Sequence, residues 1–278
     1  MSVHSLGDTI IHRFLKVPYR LRVTKFRQSK RPTATIVLIH GIGNTANAWK
    51  ELIPLLPSHV TVIGIDLLGF GRSPRPAWAQ YSVKTQARSI VRTLLGMGMT
   101  QRPIIVGHSL GALVAIEIAK RYPVFIRELL LCSPPLYAPV VSEKKTFTKD
   151  TLLRELYRTA RQNPEQLVRL SPLAVKLGFA NKAFEVTDEN VFAYIAALEA
   201  SIINQTSLED IKRLTIPIRI LYGAFDAVVV GKHIRSVAVA RPNVTVKRLI
   251  AGHEVTGSYT KAVARELEQR INQAYTKE

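Results

Sequence analysis

Gly107-His108-Ser109-Leu110-Gly111 is the stretch of this chain whose residue types and spacing point most directly to chemistry. Three β-favouring residues, Ile104-Ile105-Val106, run into it, and the helix-forming run Ala112-Leu113-Val114 follows at once. Strand, tight turn and helix in that order are the setting of a nucleophile elbow, whereas a chance Gly-x-Ser-x-Gly in an ordinary turn needs no such flanks. The reason is steric. Lifting the Ser109 hydroxyl clear of a sheet puts the serine in a strained backbone and brings its neighbours two residues away close together. Gly107 and Gly111 supply no Cβ to clash there. A helix starting behind Ser109 also aims free N–H groups and its positive end at negative charge developing on a substrate.

In this stretch the chain resembles the α/β-hydrolase superfamily, and the remaining motifs can be compared with that pattern. His40-Gly41-Ile42-Gly43-Asn44 follows a continuously apolar strand, Thr35-Ile36-Val37-Leu38-Ile39. The resemblance implies that this loop donates the Ile42 N–H to an oxyanion hole, with the Leu110 N–H as second donor and His40 as a structural hydrogen-bonding residue. Asp66-Leu67-Leu68-Gly69-Phe70-Gly71-Arg72-Ser73 matches the family's Asp-x-x-Gly-x-Gly-x-Ser loop. There Asp66 is expected to tie down backbone N–H groups and Arg72 to brace the turn. Some relatives carry the catalytic acid just after the strand Leu129-Leu130-Leu131-Cys132, but Ser133-Pro134-Pro135 stands there. The acid implied is instead Asp226, after Ile218-Arg219-Ile220-Leu221-Tyr222-Gly223, and the histidine is His253 in Ala251-Gly252-His253-Glu254. The order serine, acid, histidine is that of the superfamily. Glu254 is a departure, since many relatives have an apolar or aromatic residue there; it is expected to face solvent. His233 is the competing base, but it lies in a helical stretch.

The resemblance implies acyl transfer through Ser109, Asp226 and His253, with a carboxylic ester or thioester of a hydrophobic acyl group as the small-molecule substrate. A carbon–carbon bond hydrolase or acyltransferase on the same fold is the alternative, although Leu110-Gly111-Ala112 lacks the Gly-Gly pair common after the nucleophile of carbon–carbon hydrolases. A non-catalytic ligand-binding or anionic-surface-binding protein is the alternative from another class. No cofactor and no metal are expected: the other histidines are dispersed without ligand spacing.

The elements that must position these residues alternate between strand and helix. Residues 9–27 read as two strands, the second (Tyr19-Arg20-Leu21-Arg22-Val23-Thr24) alternating and Arg-rich, as suits a sheet edge. Trp49, Leu52, Ile53 and Leu56 are spaced as a helix, as are Val83, Ala87, Ile90 and Leu94, and finally Val263, Leu267 and Ile271. The expectation is an α/β fold: a mostly parallel twisted sheet of about eight strands flanked by helices. Residues 134–210 break the alternation, with helical stripes at Leu152, Leu153, Leu156 and Tyr157 and at Val191, Ile195, Leu198 and Ile202. They are expected to form a helical cap inserted into a core of residues 1–133 and 211–278.

Charge follows the same boundaries. The chain of 278 residues carries a net charge of +19. Eight Lys/Arg and one acid fall in residues 1–31, whereas residues 134–210 hold nine and ten. Such an excess would favour electrostatic contact with an anionic membrane or cell-envelope surface, and a basic bias over a solvated surface is the simpler account. No nucleic-acid-binding motif accompanies it, so nucleic acid is not an expected partner. No apolar run reaches the length of about eighteen residues needed for a transmembrane helix. Met1 to Phe14 lacks the apolar core of a secretory signal, and Cys132 is the only cysteine, which suits a reducing cytoplasm. A monomer or weak dimer is expected.

Overall fold

Short apolar runs with both faces covered become the central strands. The computed structural model describes residues 7, 9–138, 157–176 and 180–275. Its strands are β1 (Val23–Arg27), β2 (Thr35–Ile39), β3 (Thr61–Ile65), β4 (Ile104–His108), β5 (Glu128–Cys132), β6 (Ile218–Gly223) and β7 (Val244–Leu249). Every residue of β2, β4 and β5 is buried, as expected of parallel strands sandwiched between helices. The sheet order is β1-β3-β2-β4-β5-β6-β7, with β1 antiparallel and all other pairs parallel.

The helices are α1 (Val83–Gly96), α2 (Leu110–Arg121), α3 (Pro164–Lys176), α4 (Val191–Ala197), α5 (Ser207–Ile211), α6 (Gly231–Ala240) and α7 (Ser258–Tyr275). α2 is buried from Leu110 through Ala119, the ion-paired Glu117 included, and packs on β4 and α1, so it is covered all round rather than along one stripe. No helix among the described residues is long and apolar enough to cross a membrane.

The structure differs from the sequence reading in three elements. Seven strands form among the described residues rather than about eight, and the difference lies at 9–15. Ile10, Ile11, Phe14 and Leu15 sit at helical, not alternating, spacing, and Thr9–Phe14 winds into a wide helical turn with Leu15 N–H donating to Ile10 C=O at 3.0 Å. The Arg-rich strand does occupy a sheet edge, but it starts at Val23: the N–H groups of Leu21 and Arg22 donate to Thr93 Oγ1 and Ser73 Oγ, both at 2.9 Å, and Tyr19 stacks on His12 with ring centres 3.7 Å apart. The expected helix around Trp49 is two short 3-10 turns, Ala46–Trp49 and Ile53–Leu55. Pro54 has no N–H to donate and its ring would strike the carbonyl four residues back, which forbids a continuous α-helix; Trp49, Leu52 and Leu56 are buried all the same. Between β5 and β6, helical residues 157–162 and α3 to α5 replace the strand–helix alternation, and the expected stripe at Leu152, Leu153 and Leu156 lies outside the described residues.

Candidate active site

Ser109 lies where β4 turns into α2, with φ 51° and ψ −116°. A non-glycine residue in that region carries strain of about 1–3 kcal/mol and persists only where its surroundings fix it. Ser109 N–H donates to Cys132 C=O at 3.0 Å, and Ser109 C=O accepts from Ala112 N–H at 3.0 Å. The two flanking glycines are needed for different reasons. A Cβ on Gly107 would lie 2.4 Å from the Gly111 carbonyl oxygen, whereas a Cβ on Gly111 would lie 2.4 Å from the carbonyl oxygen of Ile39 at the end of β2. The elbow is therefore clamped both on itself and against the neighbouring strand. Leu110, the first residue of α2, has an N–H with no acceptor inside the helix.

The register Ile39↔Gly107 brings the His40–Asn44 loop beside the elbow. A Cβ on Gly41 would come 3.3 Å from Ser109 Cβ and 2.9 Å from His108 Nδ1, so this approach needs glycine. Gly43 has φ 73°, and Phe184 and Tyr194 crowd the place where its Cβ would be. His40 is fully buried: Nε2 accepts from Leu67 N–H at 2.9 Å and Nδ1 faces Gly41 C=O at 2.7 Å, which fixes the neutral Nδ1–H tautomer. Burial outweighs the Gly41 hydrogen bond and the Asp66 charge, and lowers its pKa to about 4. His40 is thus a structural residue, as expected.

Asp66 accepts from Ala46 N–H at 2.8 Å through Oδ1 and from Arg72 N–H at 2.9 Å through Oδ2. It is the loop framework that the motif suggested. The bracing guanidinium is not Arg72, whose side chain is exposed, but Arg75, which reaches back to the Gly71 carbonyl. Gly71 at φ 53° turns the Arg72 N–H inward, leaving the Arg72 side chain outside.

β6 and β7 deliver the other two residues. Asp226 Oδ2 lies 2.8 Å from His253 Nδ1, while Oδ1 accepts from the N–H groups of Val228 and Val229 at 2.8 and 3.0 Å. Burial pushes the carboxyl up, but the hydrogen bond and charge of His253, with the two backbone N–H groups, outweigh it and hold the pKa near 2. Ala224 N–H donates to Leu249 C=O and Phe225 N–H to Ala251 C=O, stitching the Asp226 loop to the His253 loop. Gly223 makes that contact possible, because its Cβ would fall 2.1 Å from the Gly252 carbonyl oxygen and 2.4 Å from that of Ala251. Gly223→Ala is expected to cost about 2–3 kcal/mol of stability, since only backbone can yield. Urea unfolding checks this, and a loss below 1 kcal/mol would mean the loops are not held as described.

His108 completes the join. The strand's alternation puts it on the same face as Val106, toward α7, and its Nε2 donates to the His253 carbonyl at 3.0 Å. The serine-bearing strand thus grips the histidine-bearing loop directly. Glu254, expected to face solvent, is turned inward: one ligand atom each of His108, His253 and Glu254 lie within 4.8 Å of one another. The charge of Glu254 acts on His108 and on Tyr194. His233 sits in α6 with Nδ1 engaged by Leu136 C=O at 2.8 Å. Cys132 is fully buried, which raises its thiol pKa and keeps it protonated. Ser133, where some relatives carry the acid, is fully buried, and its Oγ lies 3.2 Å from the Tyr259 hydroxyl.

Residues 36–266, most of the chain, match the family model described as "Alpha/beta hydrolase family". The chain belongs to the α/β-hydrolase family. A 122-residue stretch is 31% identical to probable lysophospholipase BODYGUARD 2 of Arabidopsis thaliana, covering 42% of this chain and 26% of that protein. Another 98-residue match, 43% identical, is to an uncharacterized protein of Mycobacterium bovis, covering 35% and 28%. The matched stretches span only about a quarter of those proteins. Among solved structures, a hydrolase from Oleispira antarctica superposes with a TM-score of 0.74 at 20% identity, covering 93% of this chain and 97% of that one. An esterase from Thermogutta terrifontis gives a TM-score of 0.70 at 20% identity, covering 91% and 93%. These show the fold.

The buried histidines give this α/β hydrolase a distinctive acid sensitivity. Burial lowers the pKa of His108 below the ordinary 6.5 and that of His40 to about 4, so below about pH 6.5 the unfolded chain binds more protons than the native one, for His40 down to about pH 4. Their contribution is complete above about pH 6.5 and is lost as pH falls below it, for His40 toward pH 4. For His40 alone it amounts to about 3 kcal/mol. The expected result is a urea midpoint that drops steadily over that interval; a flat profile would show that these imidazoles are not held neutral.

Proposed function

We propose that this chain is a serine hydrolase that cleaves carboxylic esters or thioesters of hydrophobic acyl groups. The observation that carries the reading is the His253–Asp226 hydrogen bond of 2.8 Å, tied through His108 to a serine held at positive φ. Ser109 Oγ attacks the substrate carbonyl carbon while His253 Nε2 takes its proton. Asp226 fixes the Nδ1–H tautomer and stabilises the imidazolium. The N–H groups of Ile42 and Leu110 hold the oxyanion, each such donor being worth about 3–4 kcal/mol. The alcohol or thiol leaves with the proton from His253, and water, deprotonated in turn by His253, releases the acid and restores Ser109.

Residues 134–210 serve in this reading as a cap over the serine. Phe184 and Tyr194, packed edge to face with ring centres 6.1 Å apart, stand on Gly43 and supply an apolar wall to the acyl site. The test is turnover of p-nitrophenyl esters from acetate to palmitate. Activity with an optimum above acetate supports an apolar acyl site, and background rates on every chain length, with the corresponding thioesters also inert, reject the reading.

A further inference from the structure

The Thr9–Phe14 turn leaves apolar side chains in water. Phe14 and Leu15 are 70% and 66% exposed, and Ile10 and Ile11 share their helical stripe at over 40%. Large side chains so exposed on one short element mark a surface that meets something apolar. Beside this element is a cavity of about 350 Å³ lined by Arg13, Lys16, Arg88 and His12, with Tyr19 and Trp78 as aromatic walls. No acid among the described residues lines it. The buried Ser89 forms part of its lining, and its hydroxyl has no hydrogen-bond partner among the described residues.

Among the described residues none of Arg13, Lys16, Lys84, Arg88 or Arg92 pairs with a carboxylate. Lys84, Arg88 and Arg92 repeat every fourth residue along α1 and so share one face. Arg88 donates to the Lys16 carbonyl at 3.1 Å, which ties the N-terminal turn to that face. Exposed apolar side chains flanked by unpaired cations are the two signals that together hold a protein on an anionic bilayer, where either alone is marginal.

We propose that the 9–16 turn and the α1 face form a docking site for an anionic phospholipid surface. Phe14 and Leu15 enter the acyl boundary, and Arg13, Lys16 and Arg88 take a lipid phosphate at the mouth of the cavity. A soluble polyanion satisfies the cations but leaves Phe14 and Leu15 in water, which is why a bilayer is the better occupant. The site does not rest on the hydrolase chemistry. It does lie next to the proposed cap, since the cavity wall at Ala79 and Gln80 leads into Tyr81, whose carbonyl accepts from Ser201 at 2.8 Å.

The test is cosedimentation of the full chain with phosphatidylcholine vesicles, with and without phosphatidylglycerol, at low and high salt. The expected result is binding to the anionic vesicles that weakens with salt and nearly vanishes on neutral ones. Phe14→Asp with Leu15→Asp, and separately Arg13→Glu with Lys16→Glu, should each weaken it about tenfold or more. Lys261→Glu with Arg265→Glu, an equal charge change on exposed positions of α7, should weaken it far less. Circular dichroism and thermal unfolding confirm that each variant folds. Three results would each overturn the proposal: no binding of the native chain to anionic vesicles, equal losses at the α7 pair and the 13/16 pair, or binding of polyphosphate or an oligonucleotide in place of vesicles.

Discussion

Replacing Ser109 with alanine is expected to lower ester turnover by about 10⁴-fold or more, to the level left by oxyanion stabilisation and binding alone. The substitution isolates the hydroxyl. Alanine keeps the Cβ, which already fits beside Gly41, and the backbone bonds that fix the elbow run through the main chain: Ser109 N–H to Cys132 C=O and Ala112 N–H to Ser109 C=O. The strain at φ 51° is the same for both residues, so the variant should fold as the native protein does. Initial rates on the best p-nitrophenyl ester, with near-ultraviolet circular dichroism as the fold control, decide the matter. A well-folded variant within tenfold of the native rate would remove Ser109 from the mechanism.

Asp226→Asn should be almost as damaging to kcat, about 10³–10⁴-fold, while leaving KM little changed. The two carboxylate oxygens have separate tasks. Oδ1 holds the N–H groups of Val228 and Val229, which an asparagine oxygen can also accept. Oδ2 faces His253 Nδ1, and there asparagine presents an NH2 group. The imidazole must then accept at Nδ1 and carry its proton on Nε2, the tautomer that cannot deprotonate Ser109. Loop geometry is kept and the base is lost.

The same substitution has a stability signature whose sign is fixed. The Asp226 carboxyl is held near pH 2, below its ordinary 3.8, so its charged form stabilises the native state by about 2 kcal/mol above pH 4. That contribution disappears as pH falls from about 4 to 2. The native chain should therefore exceed the Asn variant in unfolding free energy at pH 5, with the gap closing toward pH 2. A gap independent of pH would place the loss in packing rather than in the charge.

Much of the site was legible in the sequence because its parts are backbone requirements written into residue type. Only glycine tolerates the contacts at positions 107 and 111, so strand, Gly-x-Ser-x-Gly and helix name the elbow before any fold is known. Uninterrupted apolar runs likewise name the covered strands, and the alternation of strand and helix names the layered fold. Where one residue type suits two periods, the reading failed. The 9–15 segment has β-branched and aromatic residues yet winds into a helical turn, and Pro54 broke a helix whose apolar spacing looked sound.

What the chain by itself determined, then, is which segments are buried, where the backbone must bend, and which serine is presented at a strand end. Only the tertiary structure decided which distant side chains meet. His108 reaches the His253 carbonyl 145 positions along the chain, Glu254 turns inward, and Arg75 rather than Arg72 closes the Gly71 turn. Arg13 and Lys16 of the N-terminal segment line one cavity with Arg88 of α1, where an Arg88 hydrogen bond to the Lys16 carbonyl joins segments 72 positions apart. The physical reason is one of range. Propensity, sterics and periodicity act over a few residues and are carried by residue type. The direction of a long polar side chain is set instead by whichever donor, acceptor or charge the packed fold brings within about 3 Å of it.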